Sequence, residues 1–186
     1  MSSRRRTRPP RRPARAAPFR VRTATPRDLE TLVQHRRKMW GDIWKRGAPS
    51  SSEMARADRE YRRWVMNRTR AHRFVGFIAE GPEGTVLGSG GLWLREERQP
   101  RPRDDGRPIP YLLSMYTERK ARGQHVASKI VAEALAWSKR HGYRIIILHA
   151  SNMGRGVYER AGFRSGREML RRLPAPRGVG SKTRRR

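Results

Sequence analysis

Between Ile109 and His149 the chain changes its hydrophobic period twice in a fixed order, and this stretch restricts the available folds more than any other. Ile109 to Tyr116 is a run of β-formers, and a basic, glycine-bearing turn follows it. From Gly123 to His141 the period becomes helical: Val126, Ile130, Ala134 and Trp137 form one stripe, which Val131 and Leu135 widen. Gly142 supplies a left-handed stop, and Tyr143 to His149 is almost continuously apolar, the pattern of a strand buried on both faces. Strand, long amphipathic helix and strand together demand helices layered on a sheet.

The flanking sequence supplies the rest of such a domain. Phe19 to Thr23 alternates as a short strand, and Thr25-Pro26-x-Asp28 provides a cap, a proline at the first helical position and an acid in the first turn. Leu29, Leu32, Val33, Met39, Trp40 and Trp44 recur at helical spacing up to Gly47. A second helix from Ser52 to about Asn67 places Met54, Tyr61, Trp64 and Val65 on one side. Phe74 to Ala79 and Val86 to Leu94 are β-rich runs joined by Glu80-Gly81-Pro82-Glu83-Gly84, which reads as an antiparallel hairpin. Glu96 to Pro108 is a polar loop, Ser151 caps a short helix reaching Ala161, and Phe163 to Leu173 forms one or two terminal strands. The expected architecture is α/β (α+β), a mixed, mainly antiparallel central sheet flanked by about four helices. It forms one domain over residues 19–173, between basic disordered tails at 1–18 and 174–186.

Charge sets the partners to be considered. The sequence holds 45 Lys+Arg against 16 Asp+Glu, a formal net charge of +29. Seven arginines lie in residues 1–18 and five basic residues in 174–186, neither tail containing an acid. The intervening body is still strongly basic, which suits a polyanion. Arginine far outnumbers lysine, consistent with phosphate recognition by the guanidinium fork and equally with a genome's codon composition. The absence of cysteine excludes disulfides, thiolate metal sites and a cysteine nucleophile. No apolar run approaches the ~20 residues of a membrane span. Prolines 9, 10, 13 and 18 oppose an amphipathic transit helix, and no apolar segment follows the Arg cluster, so the expectation is a soluble, cytoplasmic protein.

The chemistry is concentrated after Tyr116. A strand that ends in a tight turn and opens into a helix directs backbone N–H groups and the helix dipole at one point, a natural place for phosphate. Arg119, Lys120 and Arg122 add charge there, although a basic helix start that merely faces water has the same sequence.

Arg122-Gly123-Gln124-His125-Val126-Ala127 resembles the R/Q-x-x-G-x-G/A signature of the GNAT superfamily of acetyl-CoA-dependent N-acetyltransferases. Leu148-His149-Ala150-Ser151 and the segment from Gly154 to Phe163 are similar to a second block of that family, and Arg22-x-Ala24-Thr25-x-x-Asp28 is similar to its opening strand and helix. The resemblance spans about residues 19–173. It departs at His125, where the family usually has a glycine that lets the backbone approach the pyrophosphate, so the histidine must adopt the same geometry or turn outward.

The resemblance implies an acyltransferase with acetyl-CoA as co-substrate and no metal. It assigns coenzyme contacts to Met115, Tyr116, Thr117, Arg122, Gly123, Gln124, His125, Val126, Ala127, Ser128, Ser151 and Tyr158. Transfer to an amine needs a neutral nucleophile, a donor for the carbonyl oxygen and an acid for the departing thiolate. Tyr158 is the implied acid, or else a tyrosine packing the last helix on the sheet. Glu96, Glu80 and His149 are candidate bases because they end strands, and a water relay without a dedicated base is an equal alternative.

The expected acceptor is a small-molecule amine. Trp40, Trp44, Tyr61, Trp64 and Trp93 suit an aromatic wall for it, but such stripes are more often plain core. Asp104 and Asp105 suit attraction of a cation. Two other readings use the basic tails: an amine borne on RNA or protein, or a non-catalytic nucleic-acid-binding module of the same fold. A monomer or homodimer is expected.

Overall fold

The computed structural model describes residues 19–44, 47–96 and 106–166. Both basic tails, Asp104 and Asp105, and the expected terminal strands from residue 167 onward lie outside the described residues.

Nine elements follow in order: β1 (Arg20–Thr23), α1 (Leu29–Ile43), α2 (Ser51–Arg70), β2 (Phe74–Glu80), β3 (Val86–Arg95), β4 (Ile109–Thr117), α3 (Val126–Arg140), β5 (Ile147–Leu148) and α4 (Arg155–Arg160). The strands form one sheet in the order β1-β2-β3-β4-β5; the first four are antiparallel and β5 runs parallel to β4. This is the mixed α/β sheet expected from the sequence. None of the described helices is long and apolar enough to cross a membrane.

The alternation along β2 and β3 divides the core. Phe77, Ala79 and Leu92 face α3, where Val126, Ile130, Val131 and Ala134 bury the predicted stripe. Phe74 and Ile78 point the other way, onto Leu32 and Val33 of α1 and Tyr61 and Val65 of α2. The sheet is thus covered on both faces, and each large side chain removed from water contributes ~1.5–3 kcal/mol. Close approach of α3 depends on Gly88, where a Cβ would lie 2.7 Å from the Tyr116 carbonyl oxygen and 2.9 Å from a Val126 methyl.

Local signals set most helix starts. The Asp28 carboxylate accepts from the Thr25 N–H at 2.7 Å and closes a 3₁₀ turn over Pro26–Asp28 before α1 begins. Ser50 and Glu53 form a reciprocal capping box at α2, with the Ser50 N–H donating to Glu53 at 2.7 Å.

Three expectations are corrected. The segment Tyr143–His149 is a strand only at Ile147–Leu148. Ile146 and Leu148 pack on the α3 core while Ile145 is 62% exposed, so among the described residues the segment is covered on one side only. The long helix starts at Val126 rather than Gly123, because Gly123 and His125 take φ of +80° and +62°. Ser151 caps a turn ahead of the last helix: its Oγ accepts from the Gly154 N–H at 3.3 Å, and α4 begins only at Arg155.

Candidate active site

Between two paired positions β4 contains one more residue than β3. Register runs Ser89↔Tyr116 and Gly91↔Leu113, leaving Ser114 and Met115 opposite Gly90. Ser114 takes a φ of +52°, and it and Leu113 both fall on the α1/α2 side, Ser114 accepting from the Tyr61 hydroxyl at 3.2 Å. Such a bulge bends a strand and ends its pairing. Pairing with β5 stops at Leu112↔Leu148, and beyond that point β4 separates from the segment that leads into α4, with no further strand partner on this side among the described residues.

The divergence opens a cavity of about 1130 Å³. Its floor is the second half of β4, from Leu112 to Thr117. One end is formed by Arg122, Gly123 and the start of α3, from His125 to Ser128, and one side by Ser151, Gly154, Val157 and Tyr158. The far end is aromatic: Trp40, Tyr61, Trp64, Trp93 and Tyr111, with His149 beside Tyr111. Four of the five residues of the aromatic stripe line the cavity, and the reading as plain core holds as well for Tyr61 and Trp64. Tyr61 and Trp64 serve both purposes because α2 overhangs the edge of the core, whereas Trp44 stays 41% exposed and packs edge-on to Trp40.

The start of α3 is open. No side chain caps it, and its N-cap, His125, is itself in the left-handed region that glycine favours. A Cβ on Gly123 would meet nothing within 4 Å, so the turn faces free space. N–H groups left without a cap, at the positive end of a helix, suit an anion.

Two basic residues of this turn already have a partner. Asp42, near the end of α1, holds Arg119 at 2.7 Å and forms an ion pair with Arg122, whose Nε also donates to the Thr117 carbonyl at 3.3 Å. These guanidiniums, Arg119 first, keep the Asp42 carboxyl below its ordinary range. Asp42 was not legible in the sequence, since only the packing of α1 brings it beside residues about eighty positions away.

A buried polar relay stands under the same turn. His35 of α1 is 3% exposed, with Nδ1 2.9 Å from Ser89 Oγ and Nε2 3.1 Å from Glu118 Oε1, and Lys38 reaches the same Glu118 oxygen at 2.5 Å. Burial pushes the imidazole pKa down. Burial would raise Glu118, yet the Lys38 ammonium holds it below the usual carboxylate range. An ionised carboxylate can only accept, so neutral His35 donates from Nε2 to Glu118 and accepts from Ser89 at Nδ1. The imidazole also leans on the Tyr116 ring, 5.0 Å between centroids.

Most of the residues expected to contact coenzyme converge on the cavity; Gln124 does not, its amide donating to the Lys120 carbonyl at 3.1 Å. Tyr158 lines it, with burial and then nearby Tyr111 pushing its phenol up to about 12. Among the three candidate bases the cavity takes in His149 alone, whose Nδ1 lies 2.5 Å from the Tyr111 hydroxyl. Glu80 is held by Arg20 at 2.8 Å and Arg22 at 3.3 Å at the β1 edge, and exposed Glu96 pairs with Arg73. The register carries both glutamates away from the gap between β4 and α4.

Comparison with known proteins agrees with the fold. A GCN5-related N-acetyltransferase from Ralstonia eutropha JMP134 superposes with a TM-score of 0.71 at 23% identity, over 84% of this chain and 99% of that one. A predicted acetyltransferase from Clostridium acetobutylicum, solved with acetyl-CoA, gives 0.71 at 24% identity over 83% and 96%. AAC(6')-Iy in complex with the bisubstrate analogue CoA-S-monomethyl-acetylneamine gives 0.60 at 19% over 85% and 99%. No curated protein matches the sequence. The profile of the acetyltransferase (GNAT) family matches residues 30–163, the stretch that builds α1 to α4 and the whole cavity, so the chain belongs to this family of acyltransferases.

Proposed function

We propose that the protein transfers the acetyl group of acetyl-CoA to the primary amine of a small molecule, both substrates being bound together in the cavity between β4 and α4. The single observation that carries this reading is the continuity of that cavity, from the uncapped start of α3 to the aromatic end at Trp64, Trp93 and Tyr111.

The residues fit a diphosphate-bearing thioester. The N–H groups of His125 to Ser128 and the Arg122 guanidinium hold the diphosphate, and the β4 edge freed by the bulge offers backbone groups to an extended amide chain. Acetyl-CoA supplies an activated acyl carbon. The amine nitrogen bonds to that carbon as the C–S bond breaks; the nitrogen gives up one proton and the sulfur ends with one. Backbone N–H of the bulged stretch from Met115 to Thr117 polarises the carbonyl oxygen. His149 takes the proton from nitrogen, directly or through one water, and Tyr158 donates to sulfur. A phenol with a pKa near 12 remains protonated throughout the neutral range, as an acid in this position requires.

Two measurements test the reading. Calorimetry with acetyl-CoA should register binding, and a panel of amines assayed for free-thiol release should contain turned-over members. Absence of heat with acetyl-CoA rejects the enzymatic account. The basic tails favour a second reading, an acceptor amine borne on RNA or protein. Such an activity falls steeply between low and moderate salt and drops on removing residues 1–18 and 174–186, whereas transfer to a small amine responds far less to either change.

A further inference from the structure

The acceptor end of the cavity is cationic as well as aromatic. Tyr61 and Trp64 stack at 6.0 Å, Trp64 meets Trp93 edge-on at 5.5 Å, and Trp93 meets Tyr111 edge-on at 6.2 Å. A guanidinium stands over each end of the Tyr61–Trp64–Trp93 ladder: Arg36 lies 4.5 Å from the Tyr61 centroid and Arg95 lies 5.9 Å from that of Trp93. Both arginines line the cavity.

Several arginines among the described residues are paired with a carboxylate: Arg37 with Asp58 at 2.7 Å, Arg62 with Glu30 at 2.6 Å, Arg22 with Asp28 at 2.8 Å. Arg36 and Arg95 have no carboxylate partner among the described residues, and the Nε of Arg95 is buried without a hydrogen bond. Asp58 and Glu60 act on Arg36 only through space, without an ion pair to it, and Asp42 is taken by Arg119 and Arg122. Arginine keeps its proton at neutral pH, so this end carries positive charge in search of an oxyanion.

We infer that the acceptor is a small amine carrying an oxyanion next to a flat aromatic body, an aromatic amino acid being the type, and that Arg36 and Arg95 are its specificity determinants. This rests on the acetyl-transfer reading above. A guanidinium fork binds a carboxylate or phosphate through two parallel hydrogen bonds, while the ring ladder offers edges and faces to an aromatic ring. A polycation is disfavoured by the same two charges.

The test uses products, so that it does not depend on acetyl-CoA. Tryptophan-fluorescence titration compares N-acetyl-L-phenylalanine with N-acetylphenethylamine, and N-acetyl-O-phosphotyramine with N-acetyltyramine. In at least one pair the anionic member should bind ~10-fold or more tightly, as a charge-assisted hydrogen bond supplies, and the pair that discriminates identifies carboxylate or phosphate. Arg36→Met and Arg95→Met should reduce the preference to within about twofold and leave the uncharged members within about threefold, whereas Arg36→Lys should retain part of it. Melting curves verify that each variant is folded. Equal affinity within both pairs, a preference that survives both Met variants, or tighter binding of N-acetylspermidine overturns the inference. Heat with acetyl-CoA, measured separately, decides the transfer reading, and either result is possible without the other.

Discussion

The Nδ1 of His35 and the Oγ of Ser89 meet 2.9 Å apart in the interior, tying α1 to the middle of the sheet directly beneath the turn that opens into α3. The other ring nitrogen reaches Glu118, the residue after β4, so one imidazole links three elements that frame the cavity. Replacing Ser89 by Ala leaves that nitrogen buried without a donor. The expected loss is ~1–3 kcal/mol of stability, read from denaturant unfolding. A loss below a few tenths would show that the contact is incidental.

The same imidazole sets a pH response. Burial lowers its pKa in the folded protein relative to the unfolded chain, so the unfolded state binds the extra proton first. The contribution is complete above the unfolded value of ~6.5 and is lost as pH falls below it. His35→Gln should flatten the stability profile between neutrality and pH 5. A profile parallel to that of the parent would show that His35 does not titrate in this window.

Asp28 governs a more acidic step. Hydrogen bonds from Arg22, with Thr25 assisting, hold its carboxyl down to about 2, against an ordinary value of 3.8. Its contribution of ~2 kcal/mol is present above pH 4 and disappears as pH falls from about 4 to about 2. Asp28→Asn should lose that amount at pH 7 and little at pH 2, which chemical denaturation at the two pH values will reveal.

Tyr158→Phe should lower kcat by about 10²-fold with a melting temperature within a few degrees of the parent, because only the hydroxyl is removed. With its pKa near 12, the tyrosine should add no ionisation to the rate profile below about pH 11. An unchanged kcat would reduce Tyr158 to a packing residue against Phe163, its edge-to-face neighbour at 6.0 Å.

His125→Gly should stabilise the fold by up to ~1 kcal/mol, since a side chain at φ +62° costs about that much and glycine does not bear it. Removing the side chain also opens the backbone to the diphosphate, so the acetyl-CoA Kd should fall several-fold by calorimetry. Weaker binding would instead show that the imidazole itself contacts the anion.

Element type was legible wherever a period or a cap enforced it. The stripe Val126-Ile130-Ala134 gave a helix face, Thr25/Asp28 opened a helix, and the β-rich runs on either side of Glu80–Gly84 gave the hairpin of β2 and β3. The turn ahead of α3 was visible because a strand, a basic glycine-bearing bend and a helix follow one another locally. The one-sided packing of the segment before β5 was not: Ile145 and Ile146 are equally apolar as letters, and only the neighbours present in space separate the exposed one from the one packed on the core.

By itself the sequence determined the order of elements, the mixed sheet with its flanking helices and the basic, glycine-bearing turn ahead of α3, because these depend on local dihedral preferences and on periodicity in the amphipathic segments. Tertiary structure alone decided which side chains share the cavity. Asp42 with Arg122, His35 with Ser89, Arg36 with Tyr61, and Trp64 with Trp93 come together through the β4 bulge and the packing of α1 and α2. Those placements result from packing summed over the whole core, which no short window of sequence encodes.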